Sequence, residues 1–341
     1  MSAARTRRVV VGSADRTPAG GGRLEVLAVT TGDDGSVAVA LTDTVAAGPV
    51  AFVAEHPALP IVYAASQGTG EGVVTGYALS EPGVLREQSV GRAAGGPAHL
   101  AVSGDGSHLL TADYGTSSVT LYRLDPDGTI AGRVDELRFE GSGPSPRQES
   151  SHPHQVLEVE GAFLVPDLGA DVVRRIEVTA EGVLRETDRF SCPAGSGPRH
   201  AIAADGLLYV ACELSGEIRW DDLGRPAGFE RVIASSLTGA DEVMPSAIRA
   251  GRDTILVANR GPGTVLKAAR TPDGLVDPRE SELGGTWPRD LVLDDDLLLV
   301  ADNRADAVNI LDAGEHAVRA SHAVSGPTCV LVVGERPPRP S

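Results

Sequence analysis

Hydrophobic positions along the chain fall into short alternating runs, and seven of those runs begin at a proline. They are PVAFVAEH from Pro49, PAHLAVS from Pro97, PHQVLEV from Pro153, PRHAIAA from Pro198, PSAIRAG from Pro245, PRDLVLD from Pro288 and PTCVLVV from Pro327. Alternation of apolar and polar residues is the period of a β-strand, and proline is tolerated at a strand's first residue, where its missing N–H breaks no ladder bond. Successive prolines lie 48, 56, 45, 47, 43 and 39 residues apart, which brackets the ~40–50-residue period of a four-stranded propeller blade. Second strands follow as IVYAASQ, HLLTADY, AFLVPDL, LLYVACEL, TILVANR and LLLVADN, and third strands as VVTGYAL, SSVTLYRL, DVVRRIEV, GEIRWDDL, GTVLKAAR and DAVNILDA. A more polar fourth segment, such as VDELRFE or RETDRFSC, completes each unit.

The ends complement each other. PTCVLVV has no second strand after it, while RVVVGSAD, LEVLAVT and VAVALTDT at the start have no proline strand before them. One blade made from both termini closes a ring without an open sheet edge. The pattern therefore predicts an all-β, seven-bladed β-propeller closed by joining N- and C-terminal strands in one blade. It forms one domain over residues 1–341, with 336–341 as a frayed tail.

A second spacing locates polar residues. Fifteen positions separate Pro153 from Leu168, Pro198 from Glu213, Pro245 from Arg260 and Pro288 from Asn303. In an antiparallel hairpin the start of one strand lies ~5 Å from the end of the next. Residues at proline-plus-one and proline-plus-fifteen should then ring one mouth of the central channel. The plus-one positions hold Val50, Ala98, His154, Arg199, Ser246, Arg289 and Thr328; Tyr114 and Gln67 take the plus-fifteen role in slightly longer hairpins, and His152 precedes Pro153. Two His, three Arg and one Glu fall on one arc. Rim charges in solvent would contribute only ~0–1 kcal/mol per pair, and convergence in a concave mouth argues for a site instead.

Composition narrows the partners. Gly and Pro are abundant at 41 and 23 residues, with aromatic residues only 4% of the chain, as suits many short strands and tight turns. A net charge of −17 argues against a nucleic-acid partner, which requires a basic stripe. No apolar run approaches the ~18 residues of a membrane helix, and Val9 to Val11 is too short for a signal-peptide core. Cys192, Cys212 and Cys329 show no CxxC spacing and read as reduced thiols of a cytoplasmic protein. We expect no metal, no cofactor, no membrane contact, and a monomer or weak oligomer.

At these residues the chain resembles the lactonase family of seven-bladed propellers, which includes a bacterial type of 6-phosphogluconolactonase and fungal 3-carboxymuconate lactonizing enzymes. GGPAHLAV, ADYGTSSVTLY, SSHPHQV, VPDLGADVV, GPRHAI, ACELSGEI, VANRGPGTV and WPRDLVLDDDLLLVADN carry the resemblance in family order from Pro49 to Val333. HPHQ followed by VPDLGAD, GPRH and CEL is the specific combination. The resemblance implies a site of His152 and His154, Arg199, Glu213 and Arg260. The chain departs from the family pattern at Ser66-Gln67, where Asn-Glu is common, and at Cys212, where Asn is common.

Opening a lactone requires a positioned water, a base effective near neutrality and donors for the charge that develops on the carbonyl oxygen. His154 or Glu213 serves as base, and Arg199 and Arg260 as oxyanion or anion donors. His152, Arg289, Tyr114 and Asn303 complete the substrate contacts. The expected reaction is hydrolysis of a small anionic lactone, 6-phosphogluconolactone-like. The alternatives are a carboxymuconate-type cycloisomerase using the same arginines, and a non-enzymatic ligand- or peptide-binding propeller. Other signals are weaker. Gly68-Thr69-Gly70-Glu71-Gly72 precedes no helix and reads as a blade loop rather than a phosphate cradle. Asp294, Asp295 and Asp296 read as a hairpin turn rather than a calcium site. His99 and His200, at proline-plus-two, should face away from the plus-one residues and pack between blades.

Overall fold

The proline-led runs and the strands after them build seven four-stranded antiparallel sheets in the computed structural model, which describes residues 4–16, 20–67, 71–80, 83–224 and 228–334. Most of the glycine run at 68–72, and the tail at 336–341, lie outside the described residues. Blades 1 to 6 span 50–92, 97–138, 157–191, 198–234, 244–282 and 288–323, and in blade 3 an isolated bridge from Pro153 to Asp167 precedes the first strand. Blade 4 shows the plan. Its strands Pro198–Ala204, Leu207–Cys212, Glu217–Asp222 and Arg231–Ala234 run outward from the axis in chain order. The first two are joined by Asp205 and Gly206 at φ 51° and 77°, the left-handed pair that a two-residue hairpin requires.

Blade 7 is composite. Pro327–Val333 is its innermost strand and pairs antiparallel with Arg5–Ser13, from Arg8 opposite Val333 to Ser13 opposite Pro327. Arg23–Thr31 and Val37–Ala46 complete the sheet. The acidic turn at Asp294, Asp295 and Asp296 serves this closure. Buried Arg7 reaches Asp294 and Asp296 at 2.5 Å each, and Arg5 pairs with Asp295. Those carboxylates tie blade 6 to the N-terminal strand.

Blades adhere through the second strands, whose two faces are both covered. In blade 4, Leu207, Tyr209 and Ala211 enter an apolar cluster shared with blade 5, while Leu208, Val210 and Cys212 enter one shared with blade 3. Successive side chains point to opposite faces, so a strand that is apolar throughout glues two neighbours at once. Each fully buried aliphatic side chain contributes roughly 1.5–3 kcal/mol.

The innermost hairpins each carry one extra residue. Pro198 pairs with Cys212 and His200 with Ala211, leaving Arg199 in a bulge. Ala98, Arg289 and Thr328 are bulged in the same way. Blade 1 is offset. Val50 lies opposite Ser66 and Phe52 opposite Ala65, so Ala51 occupies the bulge and Val50 takes the place that proline holds elsewhere. Bulges re-aim side chains, and in blades 4 and 6 the bulged residues are Arg199 and Arg289.

Side chains then lace the innermost strands together at every junction around the ring. Gln67 Nε2 donates to Pro97 O, Ser246 Oγ to Pro288 O, Asn303 Nδ2 to Pro327 O and Thr328 Oγ1 to Val50 O, at 3.5, 2.6, 3.2 and 2.8 Å. Arg199 donates to Ser246 O, His99 Nδ1 accepts from Val156 N at 3.4 Å, and Gln155 Oε1 accepts from Ala201 N at 2.6 Å. These bonds satisfy backbone groups on strand edges that face the channel. Removing residues 1–46 deletes three strands of blade 7 and exposes the apolar edge of Pro327–Val333. The truncated protein should aggregate or lose its cooperative unfolding transition. A soluble monomer that unfolds cooperatively on urea titration would contradict this role of the closure.

Candidate active site

Glu213 is the centre of the mouth. It follows directly on the second strand of blade 4, and its amide donates to Gly197 O at 2.8 Å, which extends the innermost hairpin by one bond. Its buried carboxylate meets Arg199 Nε and Arg260 Nη2 on Oε2, at 2.9 and 2.6 Å, and Arg147 Nη1 on Oε1 at 2.6 Å. Arg199 comes from the bulge of the same blade. Arg260 ends the second strand of blade 5, where it pairs with Met244, and its Nε donates to Met244 O at 3.3 Å. The Trp287 ring lies 5.6 Å from its guanidinium carbon.

Burial alone would raise the Glu213 pKa, but Arg260 and Arg199, then His154 and Arg147, outweigh it and hold the carboxyl well below the usual range. Burial, and then repulsion from Arg260, push Arg199 down to about 9. Both groups remain charged at neutral pH.

Arg289 sits in the bulge of blade 6, half-buried and without a hydrogen bond or ion pair to any described residue. Its charge acts on Arg199 and His154, and it feels Arg260 and Glu213 in turn. Burial and then the Arg260 charge lower its own pKa. Four guanidinium groups thus surround one carboxylate, a surplus of three positive charges.

The histidines form the other half of the mouth. His154 contacts Tyr114 edge-on with centroids 5.8 Å apart, and Tyr114 stacks on His152 at 4.1 Å. His152 is committed to its surroundings. Its Nδ1 lies 3.0 Å from Tyr114 O and its Nε2 3.1 Å from Glu149 Oε1, so it braces Tyr114 from behind. His154 is half-buried, and its Nδ1 is sealed off without a partner among the described residues.

His99 and His200 are not confined between neighbouring blades. His200 lies 5.4 Å from His154, 5.5 Å from His99 and 6.2 Å from Phe52, which comes from the third blade back. Contact between blades so far apart occurs only across the axis. These rings plug the channel beneath the mouth. Alternation failed to place them because the bulge at plus-one resets the phase of the strand. Burial, and then arginine charges, push His99, His154 and His200 well below the usual histidine value. All three are neutral at pH 7.

Two positions differ from the arc drawn on sequence. Asn303 is drawn to the blade 6–7 junction, where its Nδ2 donates to Pro327 O and its backbone carbonyl accepts from Arg16. Among the described residues it makes no hydrogen bond or ion pair with the Glu213 cluster. Arg147, in turn, escaped the repeat logic because it belongs to no blade. It lies in the long connection before Pro153, and the only sign of that insertion is the 56-residue interval, the longest of the six. Among the described residues no group of three or more His, Cys, Asp or Glu is placed to hold a metal ion.

The lactonase family of seven-bladed β-propellers matches residues 8–332. The chain belongs to that family. A 6-phosphogluconolactonase of Bacillus subtilis is 30% identical over 263 residues, covering 72% of this chain and 74% of the relative. A Lactobacillus plantarum protein of known structure matches with a TM-score of 0.85 at 22% identity, over 97% of this chain and all of that one. The periplasmic gluconolactonase of Pseudomonas aeruginosa matches at 0.83 and 23%, over 97% and 99%. The protein is thus a lactone-hydrolysing enzyme, a carboxylic-ester hydrolase.

In this lactonase the Glu213 charge holds the arginines in place. Glu213→Gln leaves buried guanidinium groups without their counter-charge, a type of loss that typically costs ~3–5 kcal/mol. A folded-state pKa below the unfolded value confers stability that is complete above the ordinary carboxylate pKa of ~4.3 and is lost as pH falls below it. The stability gap between wild type and Glu213→Gln in urea titrations should therefore be constant from pH 5 to 8 and narrow in acid. A gap that closes between pH 5 and 8 would show that Glu213 is not the ionised centre of this cluster.

Proposed function

We propose that the mouth hydrolyses a small lactone bearing an anionic tail, 6-phosphogluconolactone or a close analogue. The observation that carries this reading is the surplus of three positive charges around Glu213 in a chain whose net charge is −17. Such a concentration of charge within an acidic protein focuses an anion onto one spot. The name of the Bacillus subtilis relative supports the phosphorylated substrate.

The chemistry follows from which groups are free to act. Glu213, held ionised by three arginines, is a poor proton acceptor and acts as the positioning group. Neutral His154, half-exposed at the mouth, is the base. Its imidazole takes a proton from a water as the water oxygen bonds to the lactone carbonyl carbon. Arg199 and Arg260 donate to the carbonyl oxygen as it gains charge. The tetrahedral centre then collapses, the ring C–O bond breaks, and the imidazolium returns its proton to the departing ring oxygen, giving the open hydroxy acid. Arg289, which has no protein partner among the described residues, is a further anion donor.

Three buried free cysteines, Cys192, Cys212 and Cys329, support a reducing, cytoplasmic setting. No helix among the described residues is long and apolar enough to cross a membrane. Exposed apolar side chains such as Leu41, Val90, Val134, Val232, Val276 and Val318 are spread around the outermost strands of different blades, in keeping with a monomer.

Turnover of 6-phosphogluconolactone and of a carboxymuconate, followed by pH-stat and ultraviolet absorbance, separates hydrolysis from cycloisomerisation. Arg199→Ala should lower kcat by roughly a hundred- to a thousandfold on the lactone, the usual effect of losing an oxyanion donor. Arg289→Ala should mainly raise KM, and Arg123→Ala, exposed on a third strand, should change little. The wild-type rate should be level through neutrality and fall only well below pH 6.5, where His154 becomes protonated, and His154→Ala should abolish that acid limb. Wild-type rates for Arg199→Ala and His154→Ala would remove the mouth from the chemistry.

A further inference from the structure

The three arginines on Glu213 differ in how tightly they are committed. Arg199 and Arg260 have side chains 4% and 11% exposed, whereas that of Arg147 is 46% exposed. An ion pair whose cation is half in solvent contributes little, while taking a buried partner from a buried carboxylate is expensive. Arg147 is therefore the partner that Glu213 can release at small cost.

The connection that carries Arg147 is built to present it. Gln148 is buried beneath the turn, where its Nε2 donates to Leu168 O at 2.8 Å and its Oε1 accepts from Ser145 N at 3.1 Å. Its own amide donates to Ser145 O at 2.9 Å. Gln148 thus anchors the turn to blade 3 and leaves its neighbour, Arg147, reaching over the mouth. The Tyr114 hydroxyl faces the same guanidinium, and His152 stacked behind Tyr114 fixes that ring.

We propose that Arg147 is a specificity-determining residue that reads the anionic tail of the substrate, exchanging Glu213 for a phosphate or carboxylate group while Arg199 and Arg260 remain on Glu213. This rests on the lactonase reading above. A lactone with a charged tail offers Arg147 a second anion and brings the Tyr114 hydroxyl with it as a further donor. An uncharged lactone offers nothing to exchange, so Arg147 stays paired and adds nothing to binding. The mouth thereby sorts substrates by their tails through one exposed arginine, without touching the groups at the carbonyl.

The test compares Arg147→Ala with wild type on 6-phosphogluconolactone and on unphosphorylated gluconolactone. The loss in kcat/KM on the phosphorylated substrate should exceed the loss on the uncharged one by roughly ten- to a hundredfold, the value of a hydrogen bond to a charged group, and should appear mainly in KM. Arg147→Lys should recover part of the difference. Equal losses on both substrates, or no loss on either, would overturn the proposal. Calorimetric titration with 6-phosphogluconate and gluconate gives a readout independent of turnover. Wild type should prefer the phosphorylated acid, and Arg147→Ala should lose that preference. If neither lactone is hydrolysed but the Arg147-dependent preference persists, the lactonase reading fails and the tail-reading role stands. Wild-type binding without preference overturns the role itself.

Discussion

The pairing of Pro327–Val333 with Arg5–Ser13 is the contact on which the rest of the molecule depends. Each blade is a twisted sheet with apolar faces, and each needs a neighbour on both sides. Six blades supply one another, but the seventh exists only because the two ends of the chain meet in one sheet. With the ring closed, the innermost strands stand edge-on to the axis, and side chains of each blade satisfy channel-facing backbone groups of the next. Arg199 takes part in that lacing through Ser246 O while also holding Glu213. One side chain thus belongs both to the closure of the fold and to the site.

Charge at the mouth is organised before any substrate arrives. A buried carboxylate alone would tend to take up a proton, and buried arginines alone would repel one another. Beside Arg260, Glu213 and Arg199 stay ionised in a space from which most water is excluded, so these fixed groups need little reorganisation when a carbonyl oxygen becomes negative. The histidines follow the opposite logic. The same burial and positive field keep His154 neutral, which is the form a base requires. Sharing of one environment by an ionised acid and a neutral imidazole separates the positioning role from the proton-transfer role.

Repetition made much of this legible. The seven prolines mark the blades, and the fifteen-residue spacing in the sequence brings Glu213 and Arg260 to the same mouth as Arg199 and His154. What the sequence concealed was whatever does not repeat. Arg147 lies in a connection found in one blade only. The bulge leaves no mark except its proline, and in blade 1, whose proline is displaced by one residue, Ala51 takes the place that the spacing predicts for Val50. Alternation misplaces His99 and His200 because the bulge before each of them interrupts it. The acidic turn at Asp294 to Asp296 gained its meaning from Arg5 and Arg7, nearly the whole chain away. Local patterns specify strands well. Partners brought in by closure of a ring are invisible until the ring is drawn.

The most direct measurement is a crystal structure with 6-phosphogluconate, the product of the proposed reaction, bound to the wild-type protein. The account predicts the product in the mouth, with its new carboxylate against Arg199, Arg260 and His154 and its phosphate against Arg147 and the Tyr114 hydroxyl, Glu213 retaining Arg199 and Arg260. A product bound elsewhere on the propeller, with the Glu213 cluster undisturbed and the mouth vacant at saturating concentration, would contradict it.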